Sequence, residues 1–162
     1  MKFIKDYLNR VDINNYGKYY KYIFCYSGFK VNFELGKIAK QSNNSVWVKN
    51  ENTIILVTLC FTENSKELDF LPLTCDYIEK SYSIGKIPGG FVKKEIKQND
   101  KEILISRIID RSIRPMLCVE RNNCEIQILS ILLSYDHEVD TESLSVLGAS
   151  LIIFLSGLYL NI

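Results

Sequence analysis

Residues 53–61 read TIILVTLCF. Nine β-branched and apolar residues in a row, without glycine, proline or charge, suit a pleated sheet, where branched side chains pack well against their neighbours. The run is about half as long as a membrane-spanning helix needs. Its continuity predicts a strand buried on both faces. A strand of this kind needs partners on either side for its N–H and C=O groups, so it commits the chain to a sheet.

Candidate partners lie on both sides of it in sequence. Residues 22–26 and 30–34 flank Ser27-Gly28, a short turn signal, and read as a hairpin. In residues 45–49, Val46 and Val48 alternate with Trp47 and Lys49, and Asn50-Glu51-Asn52 separates them from the apolar run. Residues 69–79 (DFLPLTCDYIE) form another strand candidate, in which Pro72 points to an edge or a bulge. Residues 124–133 (CEIQILSILL) are again strand-like.

Two segments change to a helical period. In residues 101–114, Ile105, Ile108, Ile109 and Ser112 or Ile113 make one apolar face, and Pro115 ends it. In residues 142–158, Leu144, Leu147, Leu151, Ile152 and Leu155 share a face, Asp140 or Thr141 caps the start and Gly157 sits near the end. Four or five strands, a helix, a strand and a helix predict an α+β fold, a mixed sheet packed by two helices in an α/β layer. Residues 1–20, polar and weakly patterned, read as an N-terminal extension to a single domain over 21–162.

Composition agrees with such a core: 47% of the 162 residues are hydrophobic and 24% charged, with a net charge of +1. The five cysteines are odd in number and include no C-x-x-C, which predicts reduced thiols in a cytoplasmic protein rather than zinc ligands or a disulfide framework. The start of the chain lacks the apolar stretch of a secretory signal. The apolar stretch 146–160 is interrupted by Gly148, Ser150, Ser156 and Gly157, so no membrane partner is expected.

The near-neutral total hides an asymmetry. Residues 86–121 hold nine basic residues against five acidic ones, a local +4 that leaves −3 on the rest. A basic stretch on an acidic chain points to an anionic partner bound in one place. Arg107, Arg111 and Arg114 follow i, i+4, i+7 and line one stripe of the first helix. Their forks match phosphate oxygens in pairs. The alternative is a solvated face, with Asp110 pairing Arg107 or Arg114. Before that helix, Gly89-Gly90-Phe91-Val92-Lys93-Lys94 sets a ring beside paired cations on a glycine-rich loop. A base can stack on Phe91 while Lys93 and Lys94 take the backbone of a single-stranded nucleic acid. The alternative is a flexible loop whose Phe91 tucks into the core. Asp136, His137, Glu138 and Asp140 could ligate a metal, or form a hydrated loop between strand and helix. Asp69 and Asp76 could pair for acid–base work only if the fold brings them together.

Several longer words then resemble one family in order along the chain. Residues 33–41 (FELGKIAKQ), 69–74 (DFLPLT), 85–91 (GKIPGGF), 106–115 (SRIIDRSIRP), and Leu147-Gly148-Ala149-Ser150 with Ser156-Gly157 are similar to the first RNase PH-like domain of polynucleotide phosphorylases. The resemblance runs from about residue 21 to 161. It implies an RNase PH-like fold and 3′-to-5′ phosphorolysis of single-stranded RNA, releasing nucleoside diphosphates. It further implies a homotrimeric ring, contacts with other RNA-degradation proteins, and a channel loop at 89–94. That loop usually reads Phe-Phe-Arg-Arg in the family and here reads Phe91-Val92-Lys93-Lys94; Ser112 stands in place of the usual proline, and residues 118–123 depart from the usual turn. Magnesium and inorganic phosphate are implied as cofactor and co-substrate, held by a second RNase PH-like domain. The expectation is therefore a partial first domain, an RNA-binding and ring-assembly portion without catalytic or metal-ligating residues of its own, or a non-catalytic RNA-binding remnant of the enzyme.

Overall fold

The computed structural model describes residues 20–26, 29–63, 70–89, 98–118, 122 and 124–161. Strands β1 (Tyr20–Tyr26), β2 (Phe29–Leu35), β3 (Asn44–Asn50), β4 (Thr53–Glu63), β5 (Leu73–Glu79) and β6 (Cys124–Ser134) join helices α1 (Asp100–Ile113) and α2 (Thr141–Phe154). The six strands form one sheet in the order β1-β2-β3-β4-β6-β5. All neighbours are antiparallel except β5 and β6, which run parallel and are linked through α1. A parallel pair needs such a crossover, and the helix supplies it. Pro72 directly precedes β5, which is an edge strand. The hairpin, the apolar run and the strand at 124–133 thus form as their patterns indicate.

The two-sided burial expected for residues 53–61 does not occur. Thr53, Ile55, Val57 and Leu59 are fully buried, whereas Ile54, Leu56 and Thr58 are half-buried and Cys60 is exposed. Both helices pack against the side that carries Val46, Val48, Ile55 and Val57. Among the described residues no helix covers the reverse side.

The helix faces also differ from the periodic reading. In α2 the buried residues are Thr141, Leu144, Ser145, Gly148, Ala149, Ile152 and Ile153, whereas Leu147 and Leu155 are exposed. The small residues decide this. A Cβ built on Gly148 would lie 2.9 Å from methyls of both Val48 and Val57, so the helix backbone rests directly on β3 and β4. Larger leucines would hold the helix away, and they turn outward. Asp140 caps the helix, accepting from the backbone N–H of Glu142 and Ser143.

In α1 the buried residues are Glu102, Ile105, Ser106, Ile109 and Ile113, and Ile108 is exposed. Two of the five are polar because they bond to the edge of the sheet. The Tyr77 N–H donates to Ser106 Oγ at 2.9 Å, and the Glu79 N–H donates to Glu102 Oε1 at 2.6 Å. At the far end of the helix the Arg114 guanidinium donates to the carbonyls of Leu71 and Leu73, each at 3.4 Å. Side chains of α1 and of its C-cap Arg114 thus serve β5 and the residues just before it, beside which no strand pairs among the described residues. Glu102 does double duty: its Oε2 accepts from the Asn99 N–H, completing a capping box with Asn99.

The end of the chain is fastened back as well. Asn122, 7% exposed, donates from Nδ2 to the carbonyls of Cys118 and Tyr159, both at 2.8 Å, and accepts from the Tyr159 N–H. Leu117 and Leu160 form a β-bridge beside it.

Two substitutions test these arrangements by chemical denaturation. Ser106→Ala strands the Tyr77 N–H and should cost about 1–3 kcal/mol. Gly148→Ala gains helix propensity of about 1 kcal/mol, yet the overpacking against Val48 and Val57 costs about 1–3 kcal/mol, so a net loss of stability is expected.

Candidate nucleic-acid interface

The three arginines of the α1 stripe do not share one role. Arg107 and Arg111 are exposed and form no ion pair among the described residues. Arg114 pairs with Asp110, its Nη2 lying 2.6 Å from Oδ1 and its Nε 3.2 Å from Oδ2. With the bonds to Leu71 and Leu73, four of its five N–H donors are occupied within the fold. Asp110 therefore selects Arg114, and the hydrogen bond between them raises the Arg114 pKa. Arg107 and Arg111 remain as open cations one turn apart.

The approach to the glycine-rich loop is also open. A 3-10 turn at Ser81–Ile84 ends on Gly85 at φ +67, where the Gly85 N–H returns to the Tyr82 carbonyl. Ile87 is 92% exposed, and a Cβ on Gly89 would meet nothing within 4 Å. Phe91, Lys93 and Lys94 lie outside the described residues, as does Asp69.

The acidic segment after β6 is occupied by local structure. Asp136 accepts from Asn52 Nδ2 and from the Glu138 N–H, and Asp140 holds the start of α2. The Ser143 hydroxyl holds the Asp140 carboxyl below the usual range. Among the described residues no three His, Cys, Asp or Glu side chains are grouped to hold a metal. Asp76 accepts from Gln98 Nε2 at 3.3 Å. Burial, aided by Asp110, pushes the neighbouring Cys75 thiol up to about 12, which keeps it protonated near neutral pH.

The residues that fix α1 beside this surface are Glu102 and Ser106, and Asn122 fastens the later segment at Cys118 and Tyr159; periodicity singles out none of the three. Asn99-x-x-Glu102 carries a readable capping-box signal. Ser106 and Asn122 carry none, because their partners, Tyr77 and Tyr159, lie 29 and 37 residues away.

Residues 30–158 match the family described as 3′ exoribonuclease family, domain 1. The chain is 43% identical over 134 residues to the polyribonucleotide nucleotidyltransferase of Dictyoglomus thermophilum, which covers 82% of this chain and 19% of that protein. It is 44% identical over 142 residues to the same enzyme of Endomicrobium trichonymphae, covering 87% of this chain and 20% of the relative. The chain thus spans about a fifth of the length of these relatives. Among solved structures, rice Rrp46 superposes with a TM-score of 0.59 at 9% identity, over 80% of this chain and 57% of that one. A chain of the Archaeoglobus fulgidus exosome, solved with RNA bound to the active site, gives 0.61 at 16% identity over 77% and 51%. These two likenesses establish the RNase PH-like fold. The chain belongs to the 3′ exoribonuclease family, with the sequence character of a polyribonucleotide nucleotidyltransferase.

Proposed function

We propose that this chain acts as part of a polyribonucleotide nucleotidyltransferase, which shortens single-stranded RNA from its 3′ end with phosphate and releases nucleoside diphosphates. The observation that carries the reading is identity of 43–44% along more than four-fifths of the chain to enzymes of that name. Within it, residues 21–162 form part of a first RNase PH-like domain that binds RNA and joins a homotrimeric ring. Phe91, Lys93 and Lys94 grip the RNA, with Arg107 and Arg111 taking phosphates along α1. Arg114 holds α1 to β5 and acts on RNA only through that placement. Magnesium and phosphate are bound elsewhere in the enzyme. A reducing cytoplasm is the compartment, which five cysteines outside any disulfide support.

The first test supplies the purified chain with single-stranded RNA, magnesium and phosphate. Binding of RNA without nucleoside diphosphate release is expected. Release would place catalytic groups in this chain and overturn the division of labour, and absence of RNA binding would overturn the reading itself.

A second test separates the cations. Lys93→Ala with Lys94→Ala should weaken RNA binding and reduce the salt slope by about 1 for each phosphate that is no longer neutralised. Arg107→Ala with Arg111→Ala should do the same while stability changes by no more than about 0.5 kcal/mol each, as exposed positions allow. Arg114→Ala should instead lower the denaturation midpoint.

A further inference from the structure

A cavity of about 470 Å³ opens where β5, the 3-10 turn, the start of α1 and the end of β6 meet. That volume lies in the range of small-ligand sites. Two aromatic rings, Tyr135 and His137, line it, and they brace one another edge to face with centroids 4.9 Å apart. Ile84 and Leu132 add apolar surface. The Tyr135 N–H donates to the Ser83 carbonyl at 3.0 Å, which ties the 3-10 turn to the aromatic wall.

The charges on the wall balance, with Lys80 and Lys101 against Glu79 and Glu102 in number. Lys101 Nζ sits 2.9 Å from Glu79 Oε1, and both Glu102 oxygens accept backbone N–H groups. A cavity of this balance does not select an anion. Its lining carries both hydrogen-bond senses: Gln98 Oε1 and Asn99 Nδ2, whose amide partners are already bonded to Asp76 and the Asp100 N–H, and the paired Glu79 carboxylate and Lys101 ammonium. Aromatic wall, apolar surface and mixed donors and acceptors together suit a flat, neutral heterocycle with polar edges.

The cavity also lies in line with the open cations. Lys101, Leu104, Ile108 and Arg111 form one exposed stripe of α1 with Arg107 beside it. Lys101 is about 9 Å from Arg107 along the axis, at 1.5 Å per residue. A strand whose phosphates rest on Arg107 and Arg111 can therefore turn an unstacked base into the cavity.

We propose that this cavity is a nucleobase pocket, in which a base of single-stranded RNA packs against Tyr135 and His137 while Glu79 and Lys101 meet its polar edges. The inference rests on the RNA-binding reading above and adds a site to it.

His137 is the sole histidine, so its ring-proton signal is unique in a spectrum of the whole chain. Adenosine and uridine are titrated into the 162-residue protein while that signal is followed, and RNA binding is measured separately. A saturable shift is expected with nucleoside and none with inorganic phosphate alone. Tyr135→Leu should weaken nucleoside binding roughly tenfold or more, the scale set by one base–aromatic stack. Should that variant unfold, Ile84→Lys, at a position 48% exposed, places a charge on the apolar wall outside the core and should weaken binding as well. No nucleoside shift at millimolar concentration, a shift both variants leave unchanged, or a shift driven by phosphate alone each overturns the pocket. RNA binding retained without nucleoside binding refutes the pocket and leaves the RNA reading standing. Nucleoside binding without RNA binding keeps the pocket and removes the RNA reading.

Discussion

An edge strand with unpaired backbone groups is the constraint on which this structure turns. β5 closes the sheet on one side, and among the described residues no strand lies beyond it to take its outward N–H and C=O groups. Helix α1 and its C-cap Arg114 meet this edge with side chains: Glu102 and Ser106 accept from Glu79 and Tyr77, and Arg114 donates to the carbonyls of Leu71, just before the strand, and of Leu73. This fixes the height and rotation of α1 on the sheet. The rotation then directs Arg107 and Arg111 to solvent, and the height sets the start of the helix, with Glu102 and Lys101, beside the cavity at the end of β6. Tyr77, fully buried, shows how tightly that edge is sealed. Burial raises its phenol pKa, and its hydroxyl reaches Glu79 Oε1 at 3.1 Å.

The strands were legible because their signals are local. The alternation at Val46 and Val48, the turn signal at 27–28 and the proline before β5 each reflect a steric preference within a few residues. The helix faces were less legible. Periodicity favours large apolar residues for the interior, and so selects Ile108, Leu147 and Leu155, all exposed. The residues that are buried instead include Glu102, Ser106, Ser145 and Gly148. Two of them bond to the sheet edge, Ser145 bonds to the Thr141 carbonyl one turn back, and Gly148 permits close approach. Such choices depend on partners distant in sequence. The apolar run at 53–61 misled in a related way: its composition records what a side chain tolerates, whereas its burial records how many layers pack on it.

The candidate interface follows the same division. Spacing alone groups Arg107, Arg111 and Arg114 as equals. The direction of Asp110, and the carbonyls before and within β5, separate the third from the other two. The aromatic cavity had no sequence signature, since its two rings come from the segment just after β6 and its polar rim from another strand and a helix start.

The bonding of α1 to β5 has a bearing on how a chain like this can change over time. Because the helix carries the docking groups on one side, its solvent side has no duty to hold its position. Rewriting the exposed residues Arg107, Ile108 and Arg111 leaves Glu102, Ser106 and Arg114 opposite the same backbone groups. A surface released from holding the architecture can be selected for what it grips alone. Transplanting it between relatives becomes a matter of recognition rather than of folding.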